Sequence, residues 1–268
     1  MVAQDRKKPK WAVARERARK AVPETLWLFG LHAVRDALEN PAREKRRLIV
    51  TKNAADRLAD AIAAAGVEPE LSDARKFSAP LDPQSVHQGA ALEVRPLDWG
   101  NLQQCCAPSE DQPTPRVLLL DRVTDPHNVG AILRSAEVFG ARAVIAPRHH
   151  AAPETGALAK SASGALERQP YLRVRNLGDA MQELAEMGYR LIGLDGAAES
   201  DLDTVLVGLP AGPVGLVLGA EGPGLRARTA SLCTTSARIT AAGAFGSLNV
   251  SNAAAVGLYA LHKFSEKI

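Results

Sequence analysis

The sequence predicts an α/β protein in which a domain built on a parallel sheet follows a smaller α/β domain. At 268 residues the chain exceeds one average domain, so two compact domains are expected. Beyond residue 116, apolar runs of four to six residues alternate with helical patterns. Strands that are apolar on both faces belong to a parallel sheet covered by helices on each side. A polar stretch at 97–115, with Pro108, Pro113 and Pro115, predicts a linker between the two domains.

The first domain, residues 25–96, shows short helices and strands in alternation. A helical pattern at 31–38 ends at Asn40-Pro41, because the residue before a proline disfavours the helical conformation. An alanine-rich helix follows and is predicted to stop at Gly66, since glycine commonly ends helices. The predicted bounds are 54–65 for this helix and 47–51, 70–71 and 90–94 for three strands.

The second domain, residues 116–268, contains the apolar runs of the predicted parallel sheet. A helix with its apolar stripe from Val129 to Phe139 is expected to have Asn128 as its N-cap and to stop at Gly140. The predicted strands lie at 117–120, 143–146, 191–194 and 214–218, with further helices at 179–187 and about 248–264. Ligands of such sheets bind beyond the carboxyl ends of the strands, which selects the loops at 121–130 and 219–224 and the loop before Leu248.

Composition and charge exclude some classes of protein. The aliphatic, aromatic-poor composition is that of a soluble globular protein, and no apolar run is long enough for a membrane span. The three cysteines show neither a CxxC pair nor zinc-ligand spacing, so no metal site is expected. A reducing, cytoplasmic environment fits this cysteine usage best.

Basic residues are concentrated in three places. Residues 1–24 hold eight Lys or Arg against three acids, and we interpret them as a flexible arm that contacts a polyanion, with a transit peptide as the alternative. Residues 43–47 and 173–175 are further candidate phosphate contacts. The overall net charge of +3 is too small to establish such a partner by itself.

The first polar segment at a predicted strand end runs from Asp121 to Arg134. At about 100° per residue, Arg134 points away from the apolar stripe of its helix and shares an edge with Gly130 and Glu137. Its guanidinium is therefore available to an anion, although a solvated arginine on a capped helix is an equally good interpretation.

The second and third segments also combine glycine with polar side chains. At 218–225, Glu221 stands between glycines, which allow the backbone to approach a ligand closely, but neither a dinucleotide fingerprint nor a Walker lysine is present. At 247–252, two serines and two asparagines crowd the start of a helix, more than capping requires. These short side chains are suited to a neutral polar ligand, and simple helix capping is the alternative.

Together the three segments resemble the three motifs of the SpoU or TrmH family of RNA ribose methyltransferases. The matches are N-x-G-x-x-x-R at 128–134, L-G-x-E-G-x-G at 218–224 and S-L-N-V-S at 247–251, in the family's order and with similar spacing. Residues 28–34 and 86–89 are similar to the start and end of the substrate-binding domain carried by the family's rRNA branch.

The resemblance implies transfer of a methyl group from S-adenosylmethionine to a ribose 2′-hydroxyl. The layout is most similar to members that modify a guanosine of 23S, the large-subunit rRNA. It also implies a trefoil-knotted α/β methyltransferase domain and a homodimer. A tRNA guanosine, an antibiotic-site adenosine, and a non-catalytic RNA-binding or ribosome-assembly role on the same fold are the alternatives.

The resemblance also assigns roles to residues. Asn128 and Arg134 would face the ribose. We expect Arg134 to orient the ribose and stabilise the developing oxyanion, because a guanidinium is normally too basic to accept a proton; its deprotonation is kept as a hypothesis. His127 lies in a turn and is expected to be solvated rather than to act as the base. The remaining catalytic residues would be Glu221, Ser247 and Asn249, and the cofactor pocket would be lined by Leu218, Gly219, Ile239 and Leu248.

Overall fold

The structure, a computed structural model, describes residues 25–243 and 248–265 and contains two sheets. The elements around the first sheet are, in chain order, β1 (Leu26–Phe29), α1 (Leu31–Glu39), β2 (Lys45–Val50), α2 (Lys52–Arg57), α3 (Ala59–Ala65), β3 (Pro69–Leu71) and β4 (Ala90–Val94). The strand order is β1-β4-β2-β3, with β4 antiparallel to both neighbours and β2 parallel to β3. The predicted helix α1 and strands β2, β3 and β4 are confirmed.

Two features of this domain differ from the prediction. The helix expected at 54–65 is two helices, because the chain departs from helical geometry at the buried Leu58. The run Leu26–Phe29 is an additional edge strand, whose partner β4 lies more than sixty positions further along the chain. Such long-range pairing leaves no local periodicity, whereas the predicted stop at Gly66, which has φ +63°, is confirmed.

The second sheet has six strands, all parallel, in the order β10-β8-β9-β5-β6-β7. Its strands are β5 (Arg116–Asp121), β6 (Ala143–Pro147), β7 (Tyr171–Val174), β8 (Arg190–Leu194), β9 (Val214–Gly219) and β10 (Thr235–Ala237). The helices are α4 (Leu102–Cys106), α5 (Pro126–Val138), α6 (Gly156–Ala162), α7 (Leu177–Glu186), α8 (Leu202–Gly208), α9 (Ala227–Ser231) and α10 (Val250–Ser265), with a 3₁₀ turn at Ala165–Glu167.

Helices cover both faces of this sheet, as predicted from its apolar strands. Along β5, Leu118 and Leu120 belong to one buried cluster, and Val117 and Leu119 to a second cluster on the opposite face. The parallel α/β prediction is therefore confirmed. From β5 the chain continues to β6 and β7 on one side, whereas β8, β9 and β10 lie on the other side of β5. The carboxyl ends of the neighbouring strands β5 and β9 therefore form the switch point at which such sheets bind ligands.

The segment predicted as a linker is not devoid of regular structure. It contains α4, whose capping box joins Asn101 and Gln104, and whose Leu102 and Cys106 are buried against the second sheet. The capping box, rather than periodicity, is the local signal for this five-residue helix.

A buried ion-pair cluster joins the two domains. Arg43 donates from Nε and Nη2 to Glu167 at 2.9 and 2.7 Å, and from Nη1 to Glu154 at 3.1 Å. Burial alone would lower the pKa of Arg43, but the two carboxylates outweigh it and raise that pKa. The prediction that Arg43 contacts phosphate is therefore wrong, because its guanidinium is fully engaged inside the protein. Arg47, from the same basic run, pairs with Glu70 at the surface.

Arg173 also has a structural role. Its guanidinium donates to the carbonyl oxygens of Ala152, Arg148 and Pro147 at 2.9, 2.6 and 3.4 Å. Backbone carbonyls thus engage three of the five N–H donors of Arg173, and its contact with phosphate stays a prediction. Arg175, two positions further on, is exposed.

Candidate functional site

Helix α5 begins three residues earlier than predicted. Asp125 is its N-cap, accepting from the backbone N–H of His127 at 2.9 Å, and Pro126 takes the first helical position, where its missing N–H costs nothing. The prediction of Asn128 as the N-cap is therefore wrong. Asn128 lies in the first turn instead, and this leaves its side chain free for contacts with other segments.

The side chains of the three motif segments meet at Glu221. One carboxylate oxygen, Oε1, accepts from Asn128 Nδ2 at 3.0 Å and from Asn249 Nδ2 at 2.5 Å. Asn249 Nδ2 also donates to Asn128 Oδ1 at 3.0 Å. Glu221 also stands at the N-terminus of α10, where its Oε1 lies 3.5 Å from the backbone nitrogen of Val250.

The loop that carries Glu221 depends on its glycines. A Cβ at Gly219 would stand 2.1 Å from the carbonyl carbon of Gly224, so the two backbone segments are too close for any side chain. Gly222 and Gly224 have φ values of +84° and +65°, a conformation that other residues rarely adopt.

A buried carboxylate fixes the far end of the same loop. Arg226 donates to Asp121, at the end of β5, from Nε at 2.7 Å and from its backbone N–H at 3.1 Å. Burial alone would raise the pKa of Asp121, but hydrogen bonds from Arg226 and Thr229 outweigh it and lower that pKa. This clamp was not predicted, although an aspartate directly after a buried strand is a recognisable signal for the carboxyl edge of a sheet.

A cavity of about 750 Å³ opens beside the Glu221 loop. All four residues predicted to line a cofactor pocket lie on it: Leu218, Gly219, Ile239 and Leu248. Leu194, the last residue of β8, and Asp195 and Gly196, which follow it, also line the cavity and were not predicted. Their position immediately after an apolar strand is the signal that would have found them.

Arg134 is placed on the predicted edge of α5. Gly130 packs against Ser161 of α6, and Glu137 pairs with Arg168 of the 3₁₀ segment, so Arg134 lies exposed between these contacts. Six positions from Asn128 correspond to about 9 Å along the helix axis. Within residues 25–243 and 248–265, the Arg134 side chain has no hydrogen bond or ion pair, and it is not joined to the Glu221 network.

Other candidate residues lie outside the described residues or away from this network. Ser247 lies outside the described residues, as does the basic arm at 1–24. His127 is exposed, and its carbonyl accepts from Ser161 Oγ at 3.2 Å. Burial raises the pKa of Cys106 to about 12 and that of Cys233 to about 11, so these thiols are poor nucleophiles near neutral pH.

Metal clusters and membrane helices are both absent from the described part of the chain. It contains no group of three or more His, Cys, Asp or Glu side chains arranged to hold a metal ion. None of its helices combines the length and the apolar character needed to cross a membrane.

Comparisons with known proteins identify the family. A family model described as the SpoU rRNA Methylase family matches residues 115–259, and one described as RNA 2'-O ribose methyltransferase substrate binding matches residues 27–99. The 23S rRNA (guanosine-2'-O-)-methyltransferase RlmB of Ralstonia nicotianae is 38% identical over 237 residues, covering 87% of this chain and 93% of the relative.

A second relative and a solved structure agree with this match. RlmB of Yersinia pestis is 36% identical over 236 residues, covering 87% of this chain and 94% of the relative. The crystal structure of the SpoU methyltransferase AviRb from Streptomyces viridochromogenes, in complex with the cofactor AdoMet, shares the fold with a TM-score of 0.74 at 24% identity, covering 94% of this chain and 93% of that one. The chain belongs to the SpoU rRNA methylase family.

Proposed function

We propose that this protein transfers a methyl group from S-adenosylmethionine to the 2′-hydroxyl of a guanosine ribose in 23S rRNA. The observation that carries the proposal is the convergence of Asn128, Glu221 and Asn249, from three separate segments, at the rim of a cavity of about 750 Å³. The choice of substrate is supported by the relatives, which are named for guanosine methylation of 23S rRNA and match over 87% of this chain.

The cavity fits S-adenosylmethionine in size and in chemistry. Its volume lies within the range of about 300–1,000 Å³ typical of small-molecule sites. The absence of a side chain at Gly219 leaves the backbone of the β9 loop open to a ligand, and the carboxylates of Asp195 and Glu221 complement a cationic one. When bound there, S-adenosylmethionine supplies a methyl group on a positively charged sulfur. Leu218, Gly219, Ile239 and Leu248 would hold it.

The chain's own side chains would position the ribose. Glu221 holds the amides of Asn128 and Asn249 in one orientation, so their remaining donors and acceptors are fixed before the RNA arrives. Ser247 completes this set in the proposal. Arg134 would bind a backbone phosphate, orient the 2′-oxygen and stabilise the negative charge that develops on it. The 2′-oxygen would gain the methyl group as the bond from that group to sulfur breaks, and the hydroxyl proton would pass to solvent.

We also propose domain roles that follow from this function. Residues 25–96 would bind substrate RNA, 97–115 would connect the domains, and 116–268 would form the methyltransferase domain, with its C-terminal chain tied in a trefoil knot. The basic arm at 1–24 would add phosphate contacts. A protein that modifies rRNA in this way would act in the cytoplasm.

A homodimer is part of the same proposal. Helices α5 and α10 pack against each other, and Phe139 meets Tyr259 edge-on at 5.9 Å. Beside this contact, Val138, Val256 and Tyr259 expose apolar surface, with Val138 at 75% exposure. A second copy that covers this face would remove that surface from water.

The test is a methyl-transfer assay on unmodified 23S rRNA transcript with radiolabelled S-adenosylmethionine, followed by mapping of the 2′-O-methylated position. We expect Arg134→Ala to abolish turnover and to leave the dissociation constant for S-adenosylmethionine, measured by calorimetry, nearly unchanged. Arg190→Gln, at the amino end of β8 and thus at the opposite edge of the sheet, is the matched control and should keep full activity.

The outcomes separate the role of Arg134 from the function itself. If Arg134→Ala keeps more than about a tenth of wild-type activity, the proposed role of Arg134 is wrong. If the wild-type protein binds RNA but neither binds S-adenosylmethionine nor methylates 23S rRNA, the enzyme proposal is wrong and the non-catalytic alternative stands. A methylated tRNA instead of rRNA would overturn only the substrate.

A further inference from the structure

A second cavity, of about 500 Å³, lies at the carboxyl edge of the same sheet. It opens over the ends of β5, β6 and β7, whereas the cavity proposed for the cofactor lies over β8 and β9. The side chains that matter for its chemistry are Arg122, His149, His150, Arg175, Asp179 and Arg226.

The lining is strongly cationic. Arg122 and Arg175 are exposed, and within the described part of the chain neither side chain has a hydrogen bond or ion pair. Arg226 is held by Asp121 but keeps about half of its side chain exposed. Asp179 is the one carboxylate on the lining, which therefore combines three guanidinium groups with a single carboxylate. Guanidinium groups arranged around one cavity are suited to phosphate oxygens, which they bind in bidentate geometry.

The backbone around this cavity is held in an uncommon conformation. Arg122 and His150 have φ values of +64° and +60°, and only four non-glycine residues of the described chain have positive φ. Such a conformation is unfavourable for a residue with a Cβ and persists where the surrounding structure imposes it. Two of these residues on one cavity therefore indicate a site that is built, rather than a chance gap between loops.

One loop contributes lining residues to both cavities. The loop after β9 contributes Glu221 to the cofactor cavity and Arg226 to the cationic one, five positions apart. Asn128, in the first turn of α5, donates a hydrogen bond to Glu221 of that loop. The cationic cavity thus adjoins the place proposed for the target ribose.

We propose that the cationic cavity binds the phosphodiester backbone of the RNA substrate beside the nucleotide that is methylated. This inference rests on the proposed function. It assigns Arg122 and Arg175 as RNA-binding residues that position the strand without touching the reacting atoms.

The experiment measures binding of the full-length protein to unmodified 23S rRNA transcript as a function of salt concentration. The double variant Arg122→Asn/Arg175→Gln removes both charges, and asparagine tolerates the positive φ of position 122. We expect RNA affinity to fall by about tenfold or more, and the slope of log affinity against log salt to decrease by about 0.7–0.9 for each arginine–phosphate pair that the variant removes. The affinity for S-adenosylmethionine and the thermal unfolding temperature should stay unchanged.

Two controls keep the result interpretable. Arg190→Gln removes one positive charge at the opposite sheet edge and should leave RNA affinity unchanged. Arg122→Lys/Arg175→Lys keeps both charges and should retain most of the salt dependence. If the lysine variant is as defective as the neutral one, or if the neutral variant binds RNA normally, the inference is wrong. Binding of inorganic phosphate in the cavity without any effect on RNA would equally overturn it.

The methyl-transfer assay distinguishes this inference from the proposed function. A wild-type protein that methylates 23S rRNA, together with a neutral variant of unchanged RNA affinity, would refute the cavity assignment alone. If the wild-type protein methylates no RNA, the enzyme proposal is refuted. If the RNA binding of the neutral double variant nevertheless loses its salt dependence, the RNA contact is supported.

Discussion

Replacement of Gly219 by alanine should damage the proposed cofactor cavity more than any other single-methyl change in the sheet. An alanine Cβ would stand 2.1 Å from the carbonyl carbon of Gly224, 2.3 Å from its oxygen and 2.4 Å from the nitrogen of Leu225. Real Cβ contacts are essentially never shorter than 3.0 Å, so the two strands of the loop must separate by about 1 Å. The atoms in the way are backbone, which means that no side-chain rotation can relieve the clash.

The size of the effect follows from this displacement. Overpacking of this kind costs about 1–3 kcal/mol of folding stability. A shift of about 1 Å in the loop that carries Glu221 would also misplace the reacting groups, for which a loss of about 100-fold in rate is typical. We therefore expect Gly219→Ala to bind S-adenosylmethionine at least about tenfold more weakly and to lose about 100-fold in kcat/KM.

Calorimetric titration with S-adenosylmethionine, urea unfolding and the methyl-transfer assay measure the three consequences. Gly208→Ala, at the end of α8, is the matched control, because its Cβ would meet nothing within 4 Å and its φ is not positive. Wild-type affinity and wild-type kcat/KM in Gly219→Ala would refute the argument that this close approach shapes the cavity. If Gly219→Ala loses stability but the folded protein keeps its affinity for S-adenosylmethionine, the glycine is needed for folding rather than for cofactor binding.

Two further predictions concern the buried charges. The pKa of Asp121 is lowered below its usual 3.8, so its ionised form stabilises the fold above that pH, and this contribution is lost as the pH falls further. The difference in free energy of unfolding between wild type and Asp121→Asn, measured with urea, should therefore narrow below that pH. A difference that stays constant would contradict a stabilising bond between Arg226 and Asp121. Arg43→Met leaves the carboxylates of Glu167 and Glu154 without their partner and should lower the free energy of unfolding, measured with urea, by about 3–5 kcal/mol. The surface control Arg47→Met should change it little. Equal losses in the two variants would contradict the role of the interdomain cluster.

The central strands of the second sheet were predictable because burial on both faces leaves an uninterrupted apolar run. β7 and β10 were missed for the opposite reason, since both are edge strands of three or four residues and contain polar positions. The loops selected from the sequence lie together, because a parallel sheet brings the carboxyl ends of its strands to one edge. That Glu221 bonds Asn128 follows only from β9 lying beside β5, and no local pattern in the sequence gives that strand order.

The basic runs show where local sequence fails. Arg43 and Arg47 are four positions apart and look alike in the sequence, yet one is fully buried between two carboxylates and the other pairs at the surface. The partners of Arg43 lie more than one hundred positions away, so its burial depends on how the two domains dock. Arg173 donates to three backbone carbonyls, whereas Arg175, which the sequence placed in the same class, is exposed.

The division of the carboxyl edge into two cavities explains why one loop contains both Glu221 and Arg226. A methyl donor with a positively charged sulfur is favoured by the carboxylates of Asp195 and Glu221, whereas an RNA strand is favoured by guanidinium groups. Unit charges about 4 Å apart near a protein surface interact by about 4 kcal/mol, so an Arg226 side chain that turned toward the cofactor would cancel this preference. The bond from Arg226 to the buried Asp121 holds the guanidinium at the cationic cavity, away from the one proposed for the cofactor. The same clamp therefore fixes the loop and keeps the two charge environments apart, which a reaction between a cation and a polyanion requires.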